Sequence, residues 1–121
     1  MKIAIIGASK NKDKYSNKAV RAYKKHHHVV FPVNPNEREL EGLTCYSSVM
    51  VIPLEIDVAS LYLPPELGIK VVPEIIKKGI KKVIINPGAE SKEIVAMLKK
   101  NKIKTILACS IQEIGENPDK F

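Results

Sequence analysis

Five short apolar runs, each stopping at a residue that breaks regular structure, constrain this chain more than any other feature. They are KIAIIG at 2–7, HVVFPVN at 28–34, IDVASLYLP at 56–64, KKVIINPG at 81–88 and KTILACS at 104–110. Runs this short, rich in Ile and Val and free of polar alternation, read as strands buried on both faces. Between them lie helical patterns. Residues 17–26 place Ala19, Val20 and Tyr23 on one side, and 65–79 space Leu67, Val71, Ile75 and Ile76 at helical intervals. Residues 91–102 open with Ser91 as a helix N-cap and turn Ile94, Val95 and Leu98 inward. Strand and helix in alternation predict a doubly wound parallel sheet of about five strands, an α/β three-layer sandwich forming one domain over 1–121. The interval from Asn36 to Pro53 lacks helix signals and is expected to replace one crossover helix with a loop or short turn.

Charge and the rare residues narrow the function classes. The chain has 20 Lys and Arg against 13 Asp and Glu, a formal net charge of +7. Such an excess suits both a solvated lysine-rich surface and an anionic ligand. Only six aromatics and no recognisable nucleic-acid motif argue against nucleic-acid binding. No apolar run approaches the roughly 20 residues that span a bilayer, and the start has no signal-peptide pattern, so the expectation is a cytoplasmic protein with no membrane partner. Cys45 and Cys109 lack zinc-ligand or CxxC spacing and read as reduced, buried thiols. The His26-His27-His28 run could ligate a metal, but it reads better as a helix end, where imidazolium suits the dipole.

In an open parallel sheet, ligands bind beyond the carboxyl ends of the strands. Here those ends are Gly7-Ala8-Ser9, Asn34-Pro35, Leu63-Pro64-Pro65, Asn86-Pro87-Gly88 and Cys109-Ser110, all small, amide-bearing or proline-containing. Gly7 lets the backbone approach an anion, and the N–H groups after it can point at phosphate oxygens. The dinucleotide fingerprint GxGxxG is absent, since Ser9 and Lys12 stand where its later glycines belong. A longer loop takes its place. It supplies Lys10, Lys12 and Lys14 as point charges, then Tyr15, Ser16 and Asn17, of which Ser16 or Asn17 can cap the following helix. The second strand ends at Asn34-Pro35-Asn36 rather than at the acidic residue that an NAD site uses on its ribose. A neutral amide there tolerates a phosphorylated ribose.

The order of these pieces resembles the small stand-alone CoA-binding proteins, whose domain is related to the CoA-binding part of the succinyl-CoA synthetase alpha subunit. The motifs that carry the resemblance are IAIIGAS at 3–9, VFPVNPNERELEG at 30–42, LYLPPE at 61–66, VIINPGAES at 83–91 and ILACSI at 106–111, spanning essentially the whole chain. The resemblance implies a Rossmann-type domain that holds coenzyme A across the strand ends. On that likeness Gly7, Ala8, Ser9 and the following lysines would meet the phosphates, and Asn34 and Pro35 would border the adenosine. Tyr62, Pro64 and Pro65 would form a wall, and Asn86, Pro87 and Gly88 the floor near the thiol-bearing arm. Leu63, Asn86 and Ala108 depart from the family, which often carries a basic residue, glutamine and a basic residue at those positions.

No Ser-His-Asp order, HExxH or close carboxylate pair is visible at the crevice positions. The synthetases of this superfamily act through a phosphorylatable histidine in a separate domain. The favoured reading is therefore a binding, sensing or carrier module for CoA or acyl-CoA, with a protein partner or a homodimer compatible with it. An NADP-binding redox protein and a basic nucleic-acid-binding protein are the alternatives.

Overall fold

The apolar run at the start of the chain forms the central strand, β1 (Lys2–Ile6), and Ile3 to Ile6 are no more than 1% exposed. In the computed structural model, which describes residues 1–121 throughout, β1 is flanked by β2 (Val29–Val33) and β5 (Val58–Leu61), both parallel to it. β6 (Lys82–Ile85) and β7 (Lys104–Leu107) extend the sheet, giving the spatial order β2-β1-β5-β6-β7. The fold is the expected α/β Rossmann-like sandwich. Each strand stops short of the end of its apolar run, leaving the breakers in loops.

The helices cover both faces. α1 (Tyr15–Lys25) and the short α4 (Ser110–Glu113) pack on one side, where Ala19, Val20, Tyr23 and Ile111 meet Ile3 and Ile5. α2 (Pro65–Lys78) and α3 (Lys92–Lys100) pack on the other, where Val72, Ile75, Ile94 and Leu98 meet Ala4 and Ile6. Ser91 caps α3 as its sequence position predicts, its hydroxyl accepting the Ile94 N–H at 3.1 Å. The inward stripe of α2 is rotated from the expected one. Gly68, Val72 and Ile75 are buried, while Leu67 is 46% exposed. The reason is close helix approach: a Cβ on Gly68 would lie 3.1 Å from Ile94 Cδ1, so the small residue faces α3.

The two sheet edges differ. β7 is open, with Leu107 63% exposed, so it is not the strand buried on both faces that its composition suggests. β2 is shielded by the next segment, since Tyr46 N–H donates to the Pro32 carbonyl and Asn34 N–H to that of Tyr46. Pro32 has no N–H to offer a neighbouring strand, which suits an edge. The crossover from β2 to β5 carries no α-helix, as expected. It contains a small hairpin of β3 (Glu39–Leu40) and β4 (Leu43–Thr44), then a 3-10 turn over Val49–Val51. The hairpin turns at Glu41 and Gly42, both with positive φ, the pattern of a type I′ turn.

The histidine run ends α1 as expected. His26 is the C-cap, His27 turns left-handed at φ 61, and His28 Nδ1 lies 3.1 Å from the Met1 amine. All three therefore sit at the edge of the sheet where β1 begins. No helix is long and apolar enough to cross a membrane.

Candidate functional site

Strand order reverses at β1: the chain runs from β1 to β2 on one side, then returns across to β5 on the other. A crevice at the carboxyl ends of β1 and β5 follows from that topology. A cleft of about 670 Å³ lies there, in the size range of small-molecule sites. It is lined from four strand ends: by Gly7 after β1, Tyr62 after β5, Asn86 and Pro87 after β6, and Cys109 after β7. The start of α1 closes one side with Lys14, Tyr15 and Ser16. Seven of the residues expected from sequence thus share one cavity.

The wall expected to meet phosphates is built differently from expectation. Gly7 and Ala8 do not offer their N–H groups, because both donate to the Val33 carbonyl, at 3.0 and 3.2 Å. Gly7 is required for a steric reason. Its φ is +89°, and a Cβ there would lie 3.0 Å from Leu63 Cδ2 and 3.3 Å from the Leu63 nitrogen. The free donors lie further along. α1 starts at Tyr15, earlier than expected, and Ser16 and Asn17 do not cap it; the N-cap is Lys14, whose side chain makes no capping bond. The N–H groups of Tyr15 and Ser16 consequently have no acceptor in the protein, and no acidic residue occupies the first turn. They line the cleft beside Lys14, so the positive end of the α1 dipole points into it.

Asn17 is buried for another task. Its amide donates to the Ser9 carbonyl at 2.8 Å and to Glu41 at 3.1 Å, and its oxygen accepts from Arg21 Nε at 2.8 Å. Arg21 also reaches the Lys12 carbonyl at 2.7 Å. These bonds fold the 9–12 loop back onto α1. Ser9 and Lys12 are not part of the cleft lining, and the Ser9 hydroxyl accepts the Asn11 N–H. Lys10 points the other way and pairs with Glu37 at 2.9 Å. The hydrogen bond that Lys10 donates to Glu37, with the charge of that carboxylate, raises the Lys10 pKa.

Asn34 is likewise a clamp. Its amide donates to the Ala8 carbonyl at 2.7 Å, and its oxygen accepts the Asn36 N–H at 2.8 Å. Pro35 is exposed beyond it. Pro64 and Pro65 start α2 and do not line the cleft, because the Pro64 carbonyl accepts the first helical N–H groups, those of Leu67 and Gly68. Gly88 lies in the following turn at φ +94°, where its N–H donates to Glu90 at 2.7 Å.

Asn86 forms the floor. It is 1% exposed, and its amide donates to Ser60 Oγ and to the Leu61 carbonyl, both at 2.9 Å. Its oxygen accepts the Ser110 N–H at 2.8 Å. Ser60 and Ser110 hydroxyls meet at 2.6 Å, and Tyr23 donates to the Ser110 carbonyl at 2.7 Å. Burial raises the Tyr23 pKa to about 12. Tyr62 lines the cleft through its ring, while its hydroxyl is buried without a hydrogen-bond partner and burial pushes its pKa up.

Sequence reasoning missed several lining residues. Asp13, Gln112 and Pro118 have no motif to announce them, since the last two reach the cleft only because the chain end packs beside α1. Cys109, one of the strand ends expected at the crevice but read as a buried thiol, is half-buried and lines the cleft, because β7 ends at Leu107 and leaves it on the loop into α4. Cys45 is buried as expected, with burial raising its pKa. No group of three or more His, Cys, Asp and Glu side chains is placed to hold a metal ion.

Comparison with known proteins converges on one family. The CoA binding domain family model matches residues 1–114. Over 116 residues, 95% of this chain, the sequence is 35% identical to an ADP-forming acetate–CoA ligase of Methanocaldococcus jannaschii. The chain spans only 16% of that ligase. Among solved structures, a conserved hypothetical protein from Pyrococcus furiosus is 42% identical with a TM-score of 0.87, covering 93% of this chain and 97% of its own. The dinucleotide-forming acetyl-coenzyme A synthetase 1 of Candidatus Korarchaeum cryptofilum, in complex with phosphate and ADP, superposes at a TM-score of 0.79 with 27% identity, over 88% of this chain and 25% of its own. With a family model matched over nearly its whole length and a cleft at the switch point of the sheet, this chain belongs to the CoA binding domain family.

Proposed function

We propose that this protein binds coenzyme A or an acyl-CoA in the cleft at the β1/β5 switch point, as a binding, sensing or carrier module rather than a catalyst. The observation that carries the reading is the α1 N-terminus. Two unpartnered N–H groups, a lysine and the helix dipole converge on the cavity of a chain from the CoA binding domain family. A diphosphate would lie against Tyr15 N–H, Ser16 N–H and Lys14, with Gly7 keeping the approach open. The pantetheine arm would run along Tyr62 and Pro87 toward Cys109. Bound CoA supplies a thiol, or a thioester, at that end. The residues of the floor support holding rather than turnover, because the Asn86 amide is committed to protein partners. The three histidines lie at the opposite edge of the sheet.

Titration calorimetry with CoA, acetyl-CoA and NADP tests the reading. CoA and acetyl-CoA should bind at one site per chain and compete with each other. Native mass spectrometry of the purified protein should show CoA or an acyl-CoA carried along. Preferential binding of NADP would replace this reading with that of a redox protein.

A further inference from the structure

At the β2 end of the crevice the charges oppose the ligand group that a CoA site is expected to welcome there. The loop after Gly7 is fastened to β2 by the Gly7 and Ala8 N–H bonds to Val33 and by the Asn34 amide on Ala8. With the diphosphate at α1 as proposed, an adenosine end directed toward β2 would fall beside Asn34, Lys10 and Glu37. Asn34 offers no charge here, and its side chain is already bonded at both ends, one amide N–H to the Ala8 carbonyl and the oxygen to the Asn36 N–H. Lys10, a cation at this end, is held by Glu37 at 2.9 Å. Lys10 also lines a second hollow of about 370 Å³ together with Glu39 and Glu41, and of the residues 37–41 only Arg38 is basic. A ribose phosphate placed here would have to draw Lys10 away from Glu37 and approach two further carboxylates.

We propose that Glu37 is a specificity-determining residue that adapts the site to an adenosine whose ribose hydroxyls are free. The 3′-phosphate of CoA then adds nothing to affinity, and dephospho-CoA is bound at least as well. The chemistry is that of a carboxylate at the end of the second strand, which accepts hydrogen bonds from ribose hydroxyls and repels a phosphate in their place. This inference rests on the proposed CoA site and specifies which adenosine end it takes. It also corrects the expectation, drawn from Asn34-Pro35-Asn36, that this end carries no acid.

The experiment is titration calorimetry of the full chain with CoA and with dephospho-CoA at about 0.15 M salt, where charges beyond roughly 8 Å are screened. Dephospho-CoA should bind as tightly as CoA, within about threefold, or more tightly, a margin equal to one exposed charge interaction. Glu37→Gln should raise the CoA to dephospho-CoA affinity ratio by about three- to fivefold by releasing Lys10. Lys10→Gln added to Glu37→Gln should take that gain away. CoA binding more than about tenfold tighter than dephospho-CoA in the parent protein would overturn the inference and leave the CoA reading intact. An unchanged ratio in Glu37→Gln would overturn the role of Glu37. If neither ligand binds, the CoA reading fails and the inference fails with it.

Discussion

On the β6/β7 flank of the cleft, the floor is a closed set of buried polar groups: Asn86, Ser60, Ser110 and Tyr23, each bonded to another at 2.6 to 2.9 Å. On the β1/β2 flank, the wall is an exposed loop whose lysines stand in solvent and whose contacts are ion pairs and backbone bonds, such as Lys10 with Glu37. The first flank is constrained because these four buried groups satisfy one another, the Tyr62 hydroxyl being the buried group left without a partner. The second can exchange partners, because an exposed ion pair holds its members with little energy. A site built this way has a stiff floor and an adjustable wall.

The largest effect should come from the floor. Asn86→Ala strands the buried Ser110 N–H and should destabilise the fold by about 3 kcal/mol, read from urea denaturation. A loss under about 1 kcal/mol would show that the floor is no more rigid than the wall. Gly7→Ala comes next, at about 2 kcal/mol, because a Cβ at φ +89° meets the Leu63 backbone, which cannot swing aside. The same change narrows the mouth of the cleft, so CoA affinity should fall along with stability.

Tyr23→Phe should cost about 1 kcal/mol at neutral pH through its lost bond to Ser110. Its pH signature is more telling. With its folded pKa raised to about 12, Tyr23 keeps its proton in the folded state while the unfolded chain loses its own from about pH 10 upward. The unfolded state then binds fewer protons, so stability falls as pH rises from about 10 to about 12. The phenylalanine variant should lose that part of the decline, visible as a shallower fall in midpoint over this range. The smallest effects belong to the wall. Lys14→Gln should weaken CoA binding by about fivefold, and Lys10→Gln by less than about twofold, both within about 0.5 kcal/mol of parental stability. Equal losses from the two lysines would erase the distinction between a cleft-facing and a paired cation.

β1, β2, β5, β6 and α3 are legible from composition because both faces of the sheet are covered there, which forces continuous apolar runs, and because Ser91 caps in its local context. The floor position of Asn86 is half-legible. Its place after a strand can be read, but its three partners come from β5 and α4. The wall misleads. Lys10, Lys12 and Lys14 look equivalent in sequence, yet Glu37, just before the hairpin, takes Lys10, Lys12 stays outside the cleft lining, and only Lys14 lines it. Gly7 is singled out in sequence for close backbone approach to an anion, whereas the structure needs glycine there for its positive φ, and the Ala8 N–H after it is taken by Val33.

What the sequence determined by itself is the order of strands and helices, their breakers, and therefore the edge of the sheet at which a ligand can sit. Those follow from local patterns of burial and from turn chemistry, which act over a few residues. Only the tertiary structure decided which donors remain free, which lysine faces the cleft, and that Glu37 pairs with Lys10. Those outcomes depend on pairings across long stretches of chain, where each polar group takes the best partner that folding brings within reach, and no local pattern records that choice.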